Sequence, residues 1–159
     1  MIRIRHATRR REDSTALLSL IVGLAHFERL SPPTPAAKRR IIKDVFEKKR
    51  IRLLLAFDSH QKEAVGYALY FFTYSSFLAR PVLYLEDIYV REAFRGKGIG
   101  RKLFLECVRE ASRNKCGRME WSVLTWNKNA IRFYEKAGAR RLKEWHYYRL
   151  DSDAIKELS

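Results

Sequence analysis

Two adjacent carboxylates, Glu86 and Asp87, stand inside the apolar run from Val82 to Val90. A charge in such a run is costly unless it has a partner or a task. Alternation along an extended chain places Tyr84, Glu86, Ile88 and Val90 on one face and Leu83, Leu85, Asp87 and Tyr89 on the other. Arg95-Gly96-Lys97-Gly98-Ile99-Gly100 follows, with Arg101 next. Glycine lets the backbone turn sharply and lets ligand oxygens reach its amides without a Cβ in the way. If a helix starts near Ile99, its unpaired first-turn N–H groups and its dipole point into the same space, and Arg95, Lys97 and Arg101 add positive charge. Strand, basic glycine loop and helix make a seat for pyrophosphate. The glycine offsets match neither a dinucleotide GxGxxG nor a P-loop ending in Gly-Lys-Ser/Thr. Further along, Tyr134 carries a phenol of unperturbed pKa near 10, which keeps its proton at neutral pH and can give it to a leaving anion. Each feature also has a plain structural reading: ion pairs for the carboxylates, a ligand-free turn for the loop, a core aromatic for Tyr134.

The elements that would position these residues read clearly from periodicity. Residues 1–7 alternate as a strand, and 13–29 carry Leu17, Leu18, Ile21, Leu24 and Ala25 at helical spacing. Ser31-Pro32-Pro33-Thr34-Pro35 breaks that helix; Thr34 can cap, and Pro35 begin, a second one to about Lys49. Residues 51–57 and 64–74 read as an antiparallel hairpin, 82–90 as a third strand of that sheet, 99–114 as a helix and 118–124 as a strand. Asn127 N-caps a short helix that Gly138 ends, and Trp145 to Leu150 is strand-like. Helices interrupting strands throughout predict an α/β sheet with helices on both faces.

Composition narrows the setting. At 159 residues and 47% hydrophobic the chain fits one globular domain, 1–159, rather than a disordered segment. No apolar run reaches the roughly 20 residues that span a bilayer. The alternating Met1-Ile2-Arg3-Ile4-Arg5 lacks a signal-peptide core, which predicts a cytoplasmic protein with no membrane partner. Cys107 shares a helical face with Leu103 and Phe104 and reads as a packed thiol; neither it nor Cys116 has metal-ligand spacing, so no metal is expected. The four histidines are scattered. Basic residues exceed acidic ones, 33 to 18, giving a net charge of +15. Such a field attracts anions, nucleic acid among them, but the cations are dispersed along the chain like a solvated surface.

Arg-x-x-Gly-x-Gly between strand and helix resembles the pyrophosphate loop of the Gcn5-related N-acetyltransferase (GNAT) superfamily. Asn127-Lys128-Asn129-Ala130-Ile131-Arg132-Phe133-Tyr134-Glu135-Lys136-Ala137-Gly138 is similar to its second signature, Asn-x-x-Ala-x-x-x-Tyr-x-x-x-Gly. Tyr70-Phe71-Phe72-Thr73-Tyr74, Leu83-Tyr84-Leu85-Glu86-Asp87-Ile88-Tyr89-Val90 and Trp126-Asn127 resemble the spermidine/spermine (diamine) acetyltransferase branch, and the likeness reaches back to Arg5-His6-Ala7-Thr8 and Leu24-Ala25-His26-Phe27-Glu28. The resemblance implies a GNAT fold, with a mixed, mostly antiparallel central sheet flanked by helices on both faces. It also implies an acetyl-CoA-dependent enzyme that acetylates a primary amine, and a homodimer. Carried over, Ile88, Tyr89 and Val90 line the acetyl and pantetheine arm. Gly96, Lys97, Gly98, Ile99 and Gly100, with Arg95 and Arg101, hold the pyrophosphate, while Asn127, Lys128, Asn129, Ala130 and Tyr134 contact the cofactor from elsewhere. Glu86 becomes the base, acting through water, and Tyr134 the acid that protonates the leaving sulfur. Phe27, Glu28, Glu86, Asp87 and Trp145 become substrate-binding residues.

The chemistry fits those assignments. An ammonium of pKa about 10.4 is neutral in only about one molecule in a few thousand at pH 7, so a carboxylate that holds the cation and removes its proton helps twice. The sequence departs from the diamine branch near Lys143-Glu144-Trp145, where Lys143, or Glu144 after a register shift, takes an acidic position. Arg140-Arg141 and the +15 charge also oppose a small polycation. Polyamine, thialysine and lysine side-chain acceptors therefore all stay open. So do a protein lysine or N-terminal acetyltransferase, and a basic nucleic-acid-associated module that has lost catalysis.

Overall fold

The continuous apolar runs form the middle of a sheet. In the computed structural model, which describes residues 1–159, β2 (Arg52–Asp58) and β3 (Glu63–Ser75) lie between β1 (Ile2–His6) and β4 (Arg80–Val90), with β5 (Arg118–Glu120) outermost. The order is β1-β2-β3-β4-β5; the β4–β5 pairing is parallel and the others antiparallel. The chain divides into two compact units, Met1–Ser122, which holds the whole sheet, and Val123–Ser159.

Within the first unit the two sheet faces are covered by different helices. Leu53, Leu55, Tyr67 and Leu69 share one face and pack with Leu17 and Leu20 of α1 (Arg11–Glu28). Burying each such leucine contributes about 2 kcal/mol. α3 (Ile99–Arg113) covers the other face with Ile99, Leu103, Phe104 and Cys107. Glu110 of α3 accepts a hydrogen bond from the Tyr70 hydroxyl there at 3.0 Å. Burial pushes the Cys107 thiol up to about 12, in keeping with a packing role.

The helix expected over 35–49 is a composite. Thr34 caps α2 (Pro35–Ile42) by accepting from the Ala37 amide, and the chain then widens into a π-helical turn, Lys43–Glu47, closed by Lys48 N–H to the Lys43 carbonyl at 2.9 Å. The wider turn re-phases the helix so that Val45 and Phe46 both reach the core.

In the second unit, Asn127 caps α4 (Lys128–Lys136) as expected, accepting from the Ala130 amide at 3.1 Å, and Gly138 follows at φ +90°. α5 (Ser152–Leu158), capped by Asp151, has no counterpart in the sequence reading. Two expected strands are corrected. Residues 145–150 form no strand; the second unit holds no other strand, so the alternating pattern finds no ladder there. The strand expected over 118–124 stops at Glu120, where its ladder with β4 ends at Tyr84.

One buried ion pair pins β1 to the start of α1. Asp13, 2% exposed, accepts from both terminal nitrogens of Arg5, at 2.8 and 2.6 Å, and from the amide and hydroxyl of Thr8. Burial opposes its charge, but the bonds from Arg5 and Thr8 prevail and hold its carboxyl below the usual range. The resulting stability is present above the ordinary carboxylate pKa and is lost as pH falls through the lowered folded value. Asp13→Ala strands a half-buried guanidinium and is expected to cost about 3 kcal/mol in urea unfolding at pH 7; a loss under about 1 kcal/mol would show that the pair is dispensable.

Candidate active site

The geometry of β4 is set by one extra residue. Leu69 of β3 pairs with Asp87 and its neighbour Tyr70 pairs with Leu85, so Glu86 is bulged out of the ladder. Paired residues share a face, and the register therefore puts Val82, Tyr84, Asp87 and Tyr89 on the α1 side, with Leu83, Leu85 and Ile88 on the α3 side. Strict alternation predicted otherwise: it grouped Asp87 with Leu83 and Leu85. The bulge re-phases the strand, and it leaves Glu86 exposed while Asp87 turns inward. Beyond Tyr84, β4 has no ladder with β5, so the segment from Glu86 to Val90 borders an open edge of the sheet.

Asp87 meets a phenol and a second carboxylate. The hydroxyl of Tyr67, a fully buried residue, donates to Asp87 Oδ2 at 3.0 Å. Burial pushes the Asp87 carboxyl up to about 6; the Tyr67 bond works against that, and the charges of Glu86 and Glu28 add to it. Burial likewise raises Glu28, in the last turn of α1, above the usual carboxylate value. The same surroundings raise the Tyr67 hydroxyl, with burial foremost, so it stays a donor. Glu28 and Asp87 are thus two poorly solvated carboxylates in one neighbourhood. Tyr89 lies beside them, its ring 6.4 Å from that of Tyr67. A Cβ on Gly23 of α1 would come within 2.7 Å of the Tyr89 hydroxyl, so this glycine makes room for the ring. Tyr67 and Gly23 went unnoticed in the sequence. A glycine in mid-helix is a signal of close approach, whereas Tyr67 carries no signal without the register.

The loop after β4 is built to present amides. Gly96 and Gly98 both sit at φ +75°, which other residues adopt with strain. The amides from Gly96 to Arg101 donate to no acceptor in the protein, while the Gly98 carbonyl starts α3 by accepting from Lys102 at 3.0 Å. Lys97 and Arg101 are exposed, with the Lys97 Nζ donating to the Ala93 carbonyl at 3.1 Å and lying 5.2 Å from the Phe94 ring centroid, and Gly100 lies in the first turn of α3. Arg95 turns back too: its Nε donates to the Val90 carbonyl at 2.9 Å, and its guanidinium lies 4.5 Å from the Phe27 ring centroid and 5.5 Å from that of Tyr89. Phe27, Glu28, Asp87, Tyr89 and Arg95 are thus brought into one neighbourhood, bordered by Ile88 and Val90.

In the second unit, Lys128, Asn129 and Ala130 form the first turn of α4, with Asn129 accepting from Arg132 at 2.7 Å. Tyr134 is buried and packs against Phe133 at 5.2 Å between ring centroids. Trp145 is 74% exposed in irregular chain, and Glu144 lies 4.0 Å from Arg140.

The family described as Acetyltransferase (GNAT) matches residues 21–139. A thialysine N-epsilon-acetyltransferase of Mus musculus is 36% identical across 99% of this chain and 96% of that protein. An L-ornithine N5-acetyltransferase of Arabidopsis thaliana is 45% identical over 58% of this chain, a match that spans only 41% of the plant protein. Among solved structures, one described as a probable acetyltransferase superposes with a TM-score of 0.82 at 26% identity, covering 94% of this chain and 97% of that one.

A raised folded pKa means that Asp87 lowers stability as pH climbs from its ordinary value of 3.8 through about 6. Asp87→Asn keeps an acceptor for Tyr67 and removes the buried charge. It is expected to be more stable than the parent at pH 7 by about 3 kcal/mol, with the difference vanishing near pH 3. Equal pH dependence of thermal unfolding in both proteins would show that Asp87 is solvated.

Proposed function

The chain belongs to the Acetyltransferase (GNAT) family and is an acetyl-CoA-dependent N-acetyltransferase, and from that premise we propose that residues 1–159 act as a single domain acetylating a primary amine of the polyamine, thialysine or lysine side-chain type. The observation that carries the cofactor half of the proposal is the run of unpaired amides from Gly96 to Arg101. Those amides, the N-terminus of α3 and the charges of Lys97 and Arg101 fit a pyrophosphate. The strand segment from Ile88 to Val90, at the open sheet edge, suits the pantetheine arm, and one of its amides would polarise the thioester carbonyl. Asn127, Lys128, Asn129 and Ala130 are assigned further cofactor contacts by the family signature that they match. The resemblance also supports a homodimer as the working assembly.

Glu28 and Asp87 supply the acceptor half, as an anionic pocket that binds the ammonium end of the substrate; Phe27 and Trp145 are assigned to the same substrate. Glu86, exposed at the bulge, is placed to take a proton through water. In the reaction proposed, an ammonium proton passes by way of water to the Glu86 carboxylate. The free amine nitrogen then bonds to the thioester carbonyl carbon, whose double bond opens and re-forms as the carbon–sulfur bond breaks, and the nitrogen sheds its second proton to solvent. The Tyr134 phenol gives its proton to the departing thiolate and regains one from solvent. The products are the N-acetyl amine and free CoA thiol.

Thiol release from acetyl-CoA should be fastest with one member of a panel of thialysine, ornithine, spermidine and a lysine peptide. Absence of turnover with every amine would favour a catalytically lost, nucleic-acid-associated module, which steeply salt-dependent duplex binding would then support. Tyr134→Phe is expected to slow turnover about a hundredfold with little change in affinity for acetyl-CoA; an unchanged rate removes Tyr134 from its role. For Glu86→Gln the rate deficit should shrink as pH approaches the amine pKa of about 10.4, where the substrate deprotonates unaided. A deficit independent of pH would argue against a base.

A further inference from the structure

Two buried tyrosines of β3, Tyr67 and Tyr70, each donate a hydroxyl hydrogen bond to a carboxylate at 3.0 Å. The two acids differ in what else they meet. Glu110, on the α3 side, also accepts from Arg113 at 2.6 Å. The side chain of Asp87, on the α1 side, takes no hydrogen bond except that of Tyr67 and forms no ion pair. The contrast extends to the other acids whose charge burial opposes. Asp13 is paired with Arg5, Asp58 with the N-terminus, Glu106 with Arg109 and Arg113, and Glu110 with Arg113. Asp87 and Glu28 alone among them lack a cation. A poorly solvated charge without a counter-ion is costly, and a cationic ligand would complete it.

The Tyr67 hydroxyl is held where it can act on Asp87. Its ring packs with Leu17 and Leu20 of α1 and with Leu53 and Leu69 of the sheet, which fixes the direction of the phenol. Tyr67 pairs with Tyr89 across the ladder, and the bulge at Glu86 turns Asp87 to that same side. A regular strand would carry Asp87 to the α3 face, out of the phenol's reach. Because the phenol occupies Oδ2, Oδ1 is the oxygen left for a ligand. A hydrogen bond donated to a carboxylate favours its charged form, which burial and the charges of Glu86 and Glu28 oppose here. An ammonium site needs both services, orientation and a charge held ready, from the residues behind it.

Resting on the acceptor role given to Asp87 above, we propose that Tyr67 is a positioning residue for the amine: its hydroxyl holds Asp87 Oδ2 and so presents Oδ1 to the ammonium of the substrate. Tyr67 itself touches neither substrate nor cofactor and acts through Asp87. Its hydroxyl therefore governs acceptor binding and leaves the acetyl-CoA side untouched.

The test starts from Tyr67→Phe, which keeps the ring and removes the hydroxyl; circular dichroism checks its fold. Thiol release is measured with the fastest of thialysine, ornithine, spermidine and the lysine peptide. The variant is expected to raise KM for that amine about tenfold, with kcat and KM for acetyl-CoA little changed. In an Asp87→Asn background the same substitution should leave KM for the amine where it was, because the charge through which it acts is gone. A structural role would give the same loss in both backgrounds. A second measurement needs no turnover: the NMR carboxyl resonance of Asp87, assigned by its absence in Asp87→Asn, is titrated in the free protein. Its midpoint should lie at about 6 in the parent and about one pH unit higher in Tyr67→Phe. An unchanged KM for the amine, equal losses in the two backgrounds, or equal titration midpoints would each overturn the proposal. A parent inactive on every amine would overturn the acceptor reading and this proposal with it, whereas an active parent with an unaffected Tyr67→Phe overturns the proposal alone.

Discussion

The single extra residue in β4 is the constraint on which the site depends. Without the bulge at Glu86, pairing would continue in phase and Asp87 would face α3 among Leu83 and Leu85. With it, the two neighbouring carboxylates enter different environments: Glu86 is exposed, while Asp87 is drawn against Tyr67 and shares its surroundings with Glu28. Bulges bend their strand, and the ladder to β5 ends just before this one. The same local defect thus separates the acids and borders the open edge where an extended ligand arm can lie.

Charge is distributed in keeping with two unlike ligands. The chain as a whole is strongly cationic, yet two carboxylates that burial raises, Glu28 and Asp87, stand together beside β4 and the end of α1. Lys97 and Arg101 flank the unpaired loop amides in the chain, a short distance along it. An acyl donor rich in phosphates and an acceptor carrying an ammonium require opposite local fields, and a uniformly basic surface would repel the second. Holding Asp87 in a poorly solvated site costs stability, which is the usual expense of preorganising a charged pocket.

Much of this was legible in the sequence, for identifiable reasons. Apolar runs and helical spacing located every sheet strand within a few residues, because burial dictates those patterns. Thr34, Asn127 and Gly138 announced their caps by residue type. What failed depended on non-local pairing. The bulge at Glu86 exists only in the register of β4 against β3, so alternation assigned Asp87 to the wrong face. The π-helical turn arises from the need to bury both Val45 and Phe46, which a regular α-helical period does not foresee. Trp145 to Leu150 has the composition of a strand, but composition supplies no partner. Family likeness pointed to Glu28 and Asp87, which the structure brings into one neighbourhood, whereas Tyr67 needed the coordinates.

Arg95 shows how the two halves of the site are tied together. Read from sequence it is one more cation for a pyrophosphate; in the structure its Nε is committed to the Val90 carbonyl and its plane lies over Phe27 and Tyr89. It therefore links the end of β4, the glycine loop and the last turn of α1, which carries Glu28. A guanidinium in contact with two aromatic rings and a carbonyl makes contacts that a flexible ammonium would not reproduce. The glycine loop and the carboxylates of Glu28 and Asp87 are thereby joined through the same strand end and helix turn. Acyl transfer between a long cofactor and a small amine depends on holding the two at a fixed separation, and β4, its bulge and the arginine that follows it are the elements that join the glycine loop to the carboxylates.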